Sequence, residues 1–391
     1  MKDSQLCDKK YNSLIFREES KLNKKNYILF SIFLIIAISL LCMFIIKHKN
    51  NNFKETEIKA NEIKSQIFLS KKTMESKEFS KEFITELKNI VKGDELIENE
   101  MMNKHTTFKL GGPAKYFIRP KTINKIIKII QLCNEYSIEY FILGNGSNLL
   151  VSDNGFNGLV INIHEINFSD FKVVKEDDIN YKIIVGGGML MRTLAQKLCL
   201  LSLSGLEDII DIPGTIGGGI IMNASAGGKG LIFDSLEKVK VITPEGEIKE
   251  LPKSECKLGI RNSLLKEKKY MVIEAVFNLK IDDKIIIQKR MADHTSRRYS
   301  NQPMYFPSAG CFFVWIKVKF GSLFEKYKES NLVGYRVGDA MIYTHNIAFI
   351  VNLGNAKSSE VYELVTHIEK VMKTKYNIEI RREVIVLGSF N

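Results

Sequence analysis

The stretch IPGTIGGG at residues 212–219, with GNGSN at residues 144–148, is the part of the sequence that best indicates its fold. Glycine tolerates positive φ angles and lets backbone N–H groups approach a ligand closely. Two more glycine clusters stand at residues 111–112 and 186–188. Several such loops together can form a cradle for a diphosphate, and the start of a helix after residues 217–219 would also favour phosphate.

Each loop alone is explained equally well as a tight turn. GNGSN lacks the third glycine of the dinucleotide-binding pattern, and no acidic residue follows at the required distance. The chain contains no GK[ST], which excludes a nucleoside-triphosphate P-loop. Because two of the four loops end predicted strands, the set favours a large phosphorylated cofactor without identifying it.

Helical and strand patterns are intermixed around these loops, which predicts a mixed α and β fold. Apolar residues at helical spacing from Phe79 to Val91 mark the start of the folded part. A strand, a helix capped by Thr122 and a second strand at residues 115–143 predict a small βαβ-like unit. Further strands are predicted at residues 158–163, 181–186, 237–242, 247–251, 270–280, 311–316, 347–352 and 378–387. Further helices are predicted at residues 189–201, 283–298, 320–329 and 357–376.

The composition limits the class of protein and its partners. The 391 residues are 45% hydrophobic and 26% charged, as in globular proteins of two to three domains, and 7 Pro and 6 Cys exclude collagen-like and disulfide-scaffold chains. No Cys or His pair has the spacing of a metal site, so reduced thiols are expected. The net charge of +12 indicates anionic partners. Nucleic acid is disfavoured among them, because the basic residues are spread out and no aromatic-basic motif occurs.

The N-terminal region contains one long apolar segment. Residues 27–46 read YILFSIFLIIAISLLCMFII without a charge, which is the length of a transmembrane helix. No small-x-small cleavage site follows, so we expect an uncleaved anchor between a basic N-terminus of cytoplasmic type (residues 1–26) and a charged linker (residues 47–78). Seven Lys/Arg precede this segment and five follow within twenty residues, which weakly favours an N-terminus inside and the remaining chain outside.

The order of the motifs carries more information than any one of them. From residue 104 to residue 388 the chain reads KHTTFKLGGPA, LGNGSNLL, SGLE, IPGTIGGG, MNA, RNS, QP, PSAGCFF and REVIVLG. This series resembles the UDP-N-acetylenolpyruvoylglucosamine reductase family, in its shorter form, over roughly residues 79–390.

The resemblance implies an α+β fold. It comprises a vanillyl-alcohol-oxidase (PCMH)-type FAD-binding region of two subdomains at residues 79–282, and a C-terminal α/β substrate-binding domain at residues 283–391. It also implies bound FAD, NADPH as co-substrate, and reduction of UDP-N-acetylglucosamine enolpyruvate to UDP-N-acetylmuramate in peptidoglycan precursor synthesis. In that reaction NADPH reduces FAD, the flavin gives a hydride to C3 of the enolpyruvyl group, and an acid protonates C2.

Three catalytic residues follow from the resemblance. Cys311 stands where the family has a serine as proton donor, and a thiol is protonated at neutral pH and more acidic than a hydroxyl. Arg261 matches the arginine that holds the substrate carboxylate, and Glu383 matches the glutamate beside that carboxylate. The alternatives are a small buried cysteine, a surface arginine and a solvent-facing glutamate in a terminal strand.

The cofactor is expected on the two principal glycine loops, where Ser147, Asn148 and Thr215 add side-chain donors. The full set of predicted FAD contacts is Gly144, Asn145, Gly146, Ser147, Asn148, Pro213, Gly214, Thr215, Gly217, Gly218 and Asn223.

The chain departs from the family pattern at several positions. A family tyrosine is replaced by Ile260, GAYGGE by SAGGKG at residues 225–230, and a serine and a histidine by Tyr343 and Asn346, while Val314 and Trp315 replace basic or polar residues. Since these positions are expected near substrate or flavin, two alternatives stay open. One is a catalytically weakened flavin-binding scaffold at the envelope, and the other is a flavin oxidase of the same fold acting on another sugar or alcohol.

The anchor and the expected reaction make opposite demands on topology. NADPH and UDP-sugars are cytoplasmic, so the reaction places the folded part on the cytoplasmic side of the membrane. We expect this arrangement, since the charge bias across the segment is small.

Overall fold

The computed structural model describes residues 79–164, 168–224, 233–314 and 320–390. They belong to one compact unit, Phe79–Asn391. The predicted N-terminus, transmembrane segment and linker at residues 1–26, 27–46 and 47–78 lie outside the described residues. No helix within the described ranges is long and apolar enough to cross a membrane.

Each predicted helix and strand has a counterpart in the structure, although several strands and one short helix were not predicted. The helices are α1 (Lys81–Ile90), α2 (Ile123–Glu135), α3 (Met191–Leu200), α4 (Ile216–Ile221), α5 (Leu264–Glu267), α6 (Lys284–Asn301), α7 (Phe320–Glu329) and α8 (Ser358–Tyr376). The first nine strands are β1 (Leu96–Met101), β2 (Pro113–Ile118), β3 (Tyr140–Leu143), β4 (Leu149–Val151), β5 (Phe156–Asn162), β6 (Phe171–Lys175), β7 (Asn180–Gly186), β8 (Leu203–Ser204) and β9 (Leu236–Ile242). The others are β10 (Ile248–Pro252), β11 (Met271–Ile281), β12 (Ser308–Cys311), β13 (Phe313–Val314), β14 (Arg336–Val337), β15 (Ala340–Ile342), β16 (Phe349–Asn352), β17 (Arg381–Arg382) and β18 (Ile385–Leu387).

The first sheet has the order β1-β2-β5-β3, with β5 parallel to both of its neighbours. The predicted βαβ-like unit is present, because β2 and β3 run parallel in this sheet and are connected through α2, with β5 inserted between them. β5 is buried at six of its seven positions, and a strand buried on both faces belongs at the centre of a sheet. Helix α2 begins as predicted, where the Thr122 side chain accepts from the Lys125 N–H at 3.3 Å.

The second sheet has the order β10-β9-β11-β7-β6, with β8 added beside β11. All of its pairs are antiparallel, and the eleven-residue strand β11 lies at its centre. Helix α3 and the short helix α4 contribute buried apolar residues such as Leu194, Leu198 and Ile220 to the core of this sheet. The two principal glycine loops follow β3 of the first sheet and precede α4 at the second, so each sheet supplies one loop.

The C-terminal part contains the sheet β12-β16-β15-β14. The strand predicted at residues 311–316 breaks at Phe312, because β12 pairs with β16 whereas β13 pairs with β17. The strand predicted at residues 378–387 also divides, since β17 pairs with β13 whereas β18 pairs in parallel with β4. Both breaks have a consequence for the site, because Cys311 and Glu383 stand beside them.

Among the contacts that hold the C-terminal part against the preceding region, two involve side chains of residues 107 and 153. The Asp153 carboxylate accepts from the backbone N–H groups of Ser358 and Ser359, both at 2.8 Å, and so caps the start of α8. The Thr107 hydroxyl donates to the Ser308 carbonyl oxygen at 2.8 Å. Capping by a carboxylate satisfies N–H groups that have no partner inside the helix.

Candidate active site

A cavity of about 590 Å³ lies between the two principal glycine loops and the C-terminal part. Cys311, Arg261 and Glu383 all line it, although they come from distant parts of the sequence. Most of the predicted cofactor residues line the same cavity, namely Gly144, Asn145, Gly146, Ser147, Asn148, Pro213, Gly214, Thr215 and Gly218.

The two glycine loops are joined to each other. The Asn145 side-chain amide donates to the Pro213 carbonyl oxygen at 2.8 Å. A Cβ on Gly144 would lie 2.7 Å from Thr215 Oγ1, closer than real Cβ atoms come. Thr215 caps α4, where its hydroxyl oxygen accepts from the Gly218 N–H at 3.2 Å. Glycine at position 144 therefore lets one loop pack directly on the other and form a continuous wall.

This wall fits the diphosphate of a dinucleotide cofactor. Among the described residues, the backbone N–H groups of Asn145, Gly146, Ser147 and Asn148 have no protein acceptor. Gly146 has φ +60°, so the loop takes the left-handed turn that directs successive N–H groups to one side. Unpaired N–H groups beside a cavity are donors for an anionic ligand, which is what FAD requires at its diphosphate.

Two predicted cofactor residues do not line the cavity. Gly217 donates its N–H to the Gly187 carbonyl oxygen at 2.8 Å, and a Cβ there would lie 2.9 Å from the Val272 carbonyl oxygen. Asn223 is buried, and its amide donates to the Gly259 carbonyl oxygen at 2.8 Å. Gly217 therefore allows α4 to pack on β11, and Asn223 supports the turn that carries Arg261.

The glycine clusters at residues 111–112 and 186–188 also lie away from the cavity. A Cβ on Gly112 would overlap the Asp153 carbonyl oxygen, and one on Gly187 would overlap the Val272 carbonyl oxygen. These two clusters therefore allow close backbone packing, and none of their glycines lines the cavity.

Arg261 is held in a tight turn. Its φ is +53°, and the turn is closed by the Gly259 N–H, which donates to the Asn262 carbonyl oxygen at 2.8 Å. A non-glycine residue in the left-handed region is strained and is retained where its surroundings fix it. Arg261 Nε lies 2.9 Å from Glu383 Oε1, and both side chains are largely buried.

The broken strands position Cys311 and Glu383. The Phe312 N–H donates to the Ala348 carbonyl oxygen at 2.7 Å, and the Glu383 N–H donates to the Phe312 carbonyl oxygen at 2.8 Å. The Asn148 side-chain amide donates to the Glu383 carbonyl oxygen at 3.3 Å. The GNGSN loop thus contacts the backbone of a predicted catalytic residue as well as the cavity.

Burial dominates the electrostatics of the site. It raises the pKa of Glu383, although Arg261, Lys266 and Arg381 act in the opposite direction. It also raises the pKa of the Cys311 thiol to about 12, with a further increase from Glu383 and opposition from Arg261 and Arg298. Cys311 is therefore fully protonated at neutral pH, as a proton donor must be before it acts.

Sequence reasoning missed Arg298, a cavity residue on α6. Its Nε is buried and has no hydrogen-bond acceptor among the described residues. Four residues later, the Gln302 N–H donates to the Arg298 carbonyl oxygen at 2.8 Å, so the QP motif at residues 302–303 marks the end of this helix. The sequence places Arg298 four residues before the QP motif. This spacing alone does not show which face of the helix the arginine occupies.

The departures from the family pattern do not line the cavity where the structure describes them. Ile260 is 81% exposed, and Val314 is buried in the β13–β17 pair. Asn346 donates its side-chain amide to the Asn301 carbonyl oxygen at 2.9 Å, and the Tyr343 ring lies beside Phe306. None of these four described residues lines the cavity. Residues 225–230 and Trp315 lie outside the described residues.

Two protein families match the chain. The FAD binding domain family matches residues 114–252, and the UDP-N-acetylenolpyruvoylglucosamine reductase C-terminal domain matches residues 302–387. These matches agree with the predicted α+β architecture of a PCMH-type FAD-binding region and a C-terminal domain. The exact boundary at residues 282 and 283 stays a prediction.

Three of the similar proteins are reductases with the same name. The UDP-N-acetylenolpyruvoylglucosamine reductase of Lachnoclostridium phytofermentans is 36% identical over 305 residues, covering 78% of this chain and 97% of that protein. The reductase of Listeria welshimeri is 38% identical over 290 residues, covering 74% and 94%. The crystal structure of the reductase from Thermus caldophilus is similar with a TM-score of 0.60 and 31% identity, covering 75% of this chain and 98% of that one.

The fold, the cavity and these similarities agree with one another. The chain therefore belongs to the UDP-N-acetylenolpyruvoylglucosamine reductase family and is an FAD-dependent oxidoreductase of peptidoglycan synthesis.

Proposed function

We propose that the chain reduces UDP-N-acetylglucosamine enolpyruvate to UDP-N-acetylmuramate with NADPH, and that Cys311, Arg261 and Glu383 carry the reaction. The observation that supports this proposal is the convergence of these three residues on the cavity that both glycine loops line. In the loops, the backbone N–H groups of residues 145–148 and the Ser147 and Thr215 hydroxyls would hold the cofactor, while Pro213 and Gly214 complete the wall beside it. Bound FAD, once reduced by NADPH, supplies the hydride that adds to C3 of the enolpyruvyl group.

Arg261 and Glu383 act on the substrate carboxylate. A guanidinium has five N–H donors, so Arg261 can contact Glu383 through Nε and also hold the substrate carboxylate. Negative charge builds on that carboxylate when hydride reaches C3, and fixed donors in a buried site stabilise such charge strongly. Because burial raises the pKa of Glu383, an approaching carboxylate favours its neutral form, which donates a hydrogen bond.

Cys311 completes the reduction. Its Sγ–H gives a proton to C2, which leaves a thiolate that water reprotonates. The high pKa of the thiol keeps the proton in place until basic character develops at C2. The same high pKa means that formation of the Cys311 thiolate is energetically unfavourable. Neighbouring cations lower this free-energy cost during the proton transfer.

Flavin absorbance and NADPH oxidation test the proposal. The full chain, purified in detergent, is expected to carry a yellow flavin chromophore and to oxidise NADPH only when the enolpyruvyl substrate is added. Bound flavin without substrate-dependent turnover would support the scaffold alternative instead. Reduction of the flavin by a sugar or alcohol in the absence of NADPH would support the oxidase alternative.

We also propose that residues 27–46 anchor the chain, with the folded part on the cytoplasmic side. The support is their uncharged apolar sequence and the location of NADPH and UDP-sugars. Protease added to intact cells is expected to leave residues 79–391 uncut. Digestion of that region from outside would contradict both this topology and the proposed reaction.

A further inference from the structure

Arg298 is a cation of the cavity that the reaction above does not use. Its Nε is buried without an acceptor in the described part of the chain. Leaving a buried guanidinium donor unpaired is costly, and burial lowers the pKa of Arg298. A buried polar group without a partner often has a function in another state of the protein, such as the ligand-bound state.

The nearby carboxylate does not account for this arginine. Asp211 is buried, and both of its oxygens have other partners. Oδ1 lies 2.7 Å from Arg192 Nη2, and Oδ2 accepts from the Thr295 hydroxyl at 2.5 Å. The charged groups that act on Arg298 are Asp211, Cys311 and Arg192, all of which line the cavity. Of these three groups, Cys311 is the one at which the proposed reaction creates new charge.

The proposed proton transfer creates an anion at Cys311. The charged groups that act on this thiol are Glu383, Arg261 and Arg298. Glu383 disfavours a thiolate, and Arg261 is engaged with Glu383 at 2.9 Å. Arg261 lowers the pKa of Cys311 more than Arg298 does, but Arg298 has no carboxylate contact within hydrogen-bond distance in the described residues, so its charge is less offset by a partner.

We propose that Arg298 stabilises the thiolate left on Cys311 after its proton has moved to C2. Hydride from the flavin forms the C3–H bond while the C2=C3 π bond breaks. The S–H bond of Cys311 then breaks as the C2–H bond forms. The reductant is the NADPH-reduced flavin. This inference rests on the proposed function, because it assigns Arg298 a positioning role for the same proton donor.

Alkylation of Cys311 in the resting holoenzyme tests the inference without turnover. Iodoacetamide reacts with the thiolate, so its rate on Cys311, measured by mass spectrometry between pH 8.5 and 10, follows the thiolate fraction. Removing a neighbouring cation raises the thiol pKa, so Arg298→Gln is expected to slow alkylation by about threefold to tenfold. Arg298→Lys is expected to restore most of the rate, because it keeps the charge.

The next residue offers a matched control. Arg297 is exposed on the same helix and contacts His294 Nδ1 at 3.2 Å, outside the cavity. Arg297→Gln is expected to leave the alkylation rate unchanged. If Arg298→Gln retains flavin and is alkylated at the wild-type rate, the inference is wrong.

Single-turnover kinetics separate this inference from the proposed function. With Arg298→Gln, reoxidation of reduced flavin by the substrate is expected to slow about tenfold with a larger solvent deuterium isotope effect, whereas reduction by NADPH stays within about twofold. If Cys311→Ala reoxidises at the wild-type rate, the proposed role of Cys311 fails. If Cys311→Ala is slow but Arg298→Gln shows normal alkylation and a normal isotope effect, only the role of Arg298 fails.

Discussion

Arg261 Nε lies 2.9 Å from Glu383 Oε1 in a largely buried contact. This contact connects the turn between β10 and β11 to the segment between β17 and β18. It therefore joins a turn that follows the match to the FAD binding domain at residues 114–252 to the end of the match to the C-terminal domain at residues 302–387. A buried pair of this kind is costly to break, since removing one partner leaves the other charge without compensation.

Substitution of Arg261 tests the geometry of this pair. Arg261→Lys keeps the charge but removes the planar fork, so it cannot hold Glu383 and the substrate carboxylate together. We expect flavin reoxidation by the substrate to fall by roughly 100-fold, with flavin content retained. Stopped-flow absorbance measures this rate. Arg336→Lys, at an exposed arginine that contacts Asp339, serves as control, and equal effects in both variants would contradict the role of Arg261.

Two threonine caps separate cofactor binding from helix stability. The Thr215 hydroxyl oxygen accepts from the Gly218 N–H at 3.2 Å, and that of Thr122 accepts from the Lys125 N–H at 3.3 Å. Thr215→Val and Thr122→Val should each cost about 1 kcal/mol of stability from the lost cap. Only Thr215→Val is expected to weaken FAD binding, as measured by flavin retention during gel filtration. Equal retention in both variants would remove Thr215 from the cofactor site.

Asp153 is expected to stabilise the fold in a pH-dependent way. Burial by itself would raise the pKa of this carboxyl, but hydrogen bonds from Ser359 and Ser358 outweigh burial and hold its pKa below the usual value. A lowered pKa in the folded state contributes stability that is present above the unfolded pKa and lost as pH falls through the folded pKa. Asp153→Asn is therefore expected to lower the free energy of unfolding by about 1–2 kcal/mol at pH 7.5.

Thermal melting as a function of pH checks this expectation. The difference between Asp153→Asn and wild type should shrink below about pH 4, where the wild-type carboxylate also takes up its proton. Asp178→Asn is the control, because the Asp178 side chain is 96% exposed and contacts only Lys175 among the described residues. A constant difference across this pH range would mean that Asp153 acts through packing alone.

Periodicity predicted most of the fold because the long elements have strong patterns. Helix α8 shows six buried positions at helical spacing, and β11 is buried along most of its length. The short strands were missed or merged, since two-residue pairs such as β13 and β17 are set by their partners and not by their own composition. A local pattern also does not predict that β5 is the neighbour of β2. Strand order depends on the packing of the whole sheet, in which β5 is the most buried strand.

The site was predictable where residue type and motif agree. Cys311, Arg261 and Glu383 meet in one cavity as expected from the resemblance. Gly217 and Asn223 remain predicted cofactor residues, although they do not line the cavity. In a sequence, a glycine run and a polar side chain look the same whether they face a ligand or the protein. Arg298 was missed because the orientation of a helical arginine depends on packing around α6, which its neighbours in sequence do not reveal.

Single-turnover kinetics of Cys311→Ala test most directly whether Cys311 is the proton donor. We expect flavin reduction by NADPH at the wild-type rate and flavin reoxidation by UDP-N-acetylglucosamine enolpyruvate slowed by roughly 100-fold or more. Cys311→Ser, which restores the residue of the family pattern, should recover much of the reoxidation rate. Reoxidation of Cys311→Ala at the wild-type rate would show that Cys311 is not the proton donor.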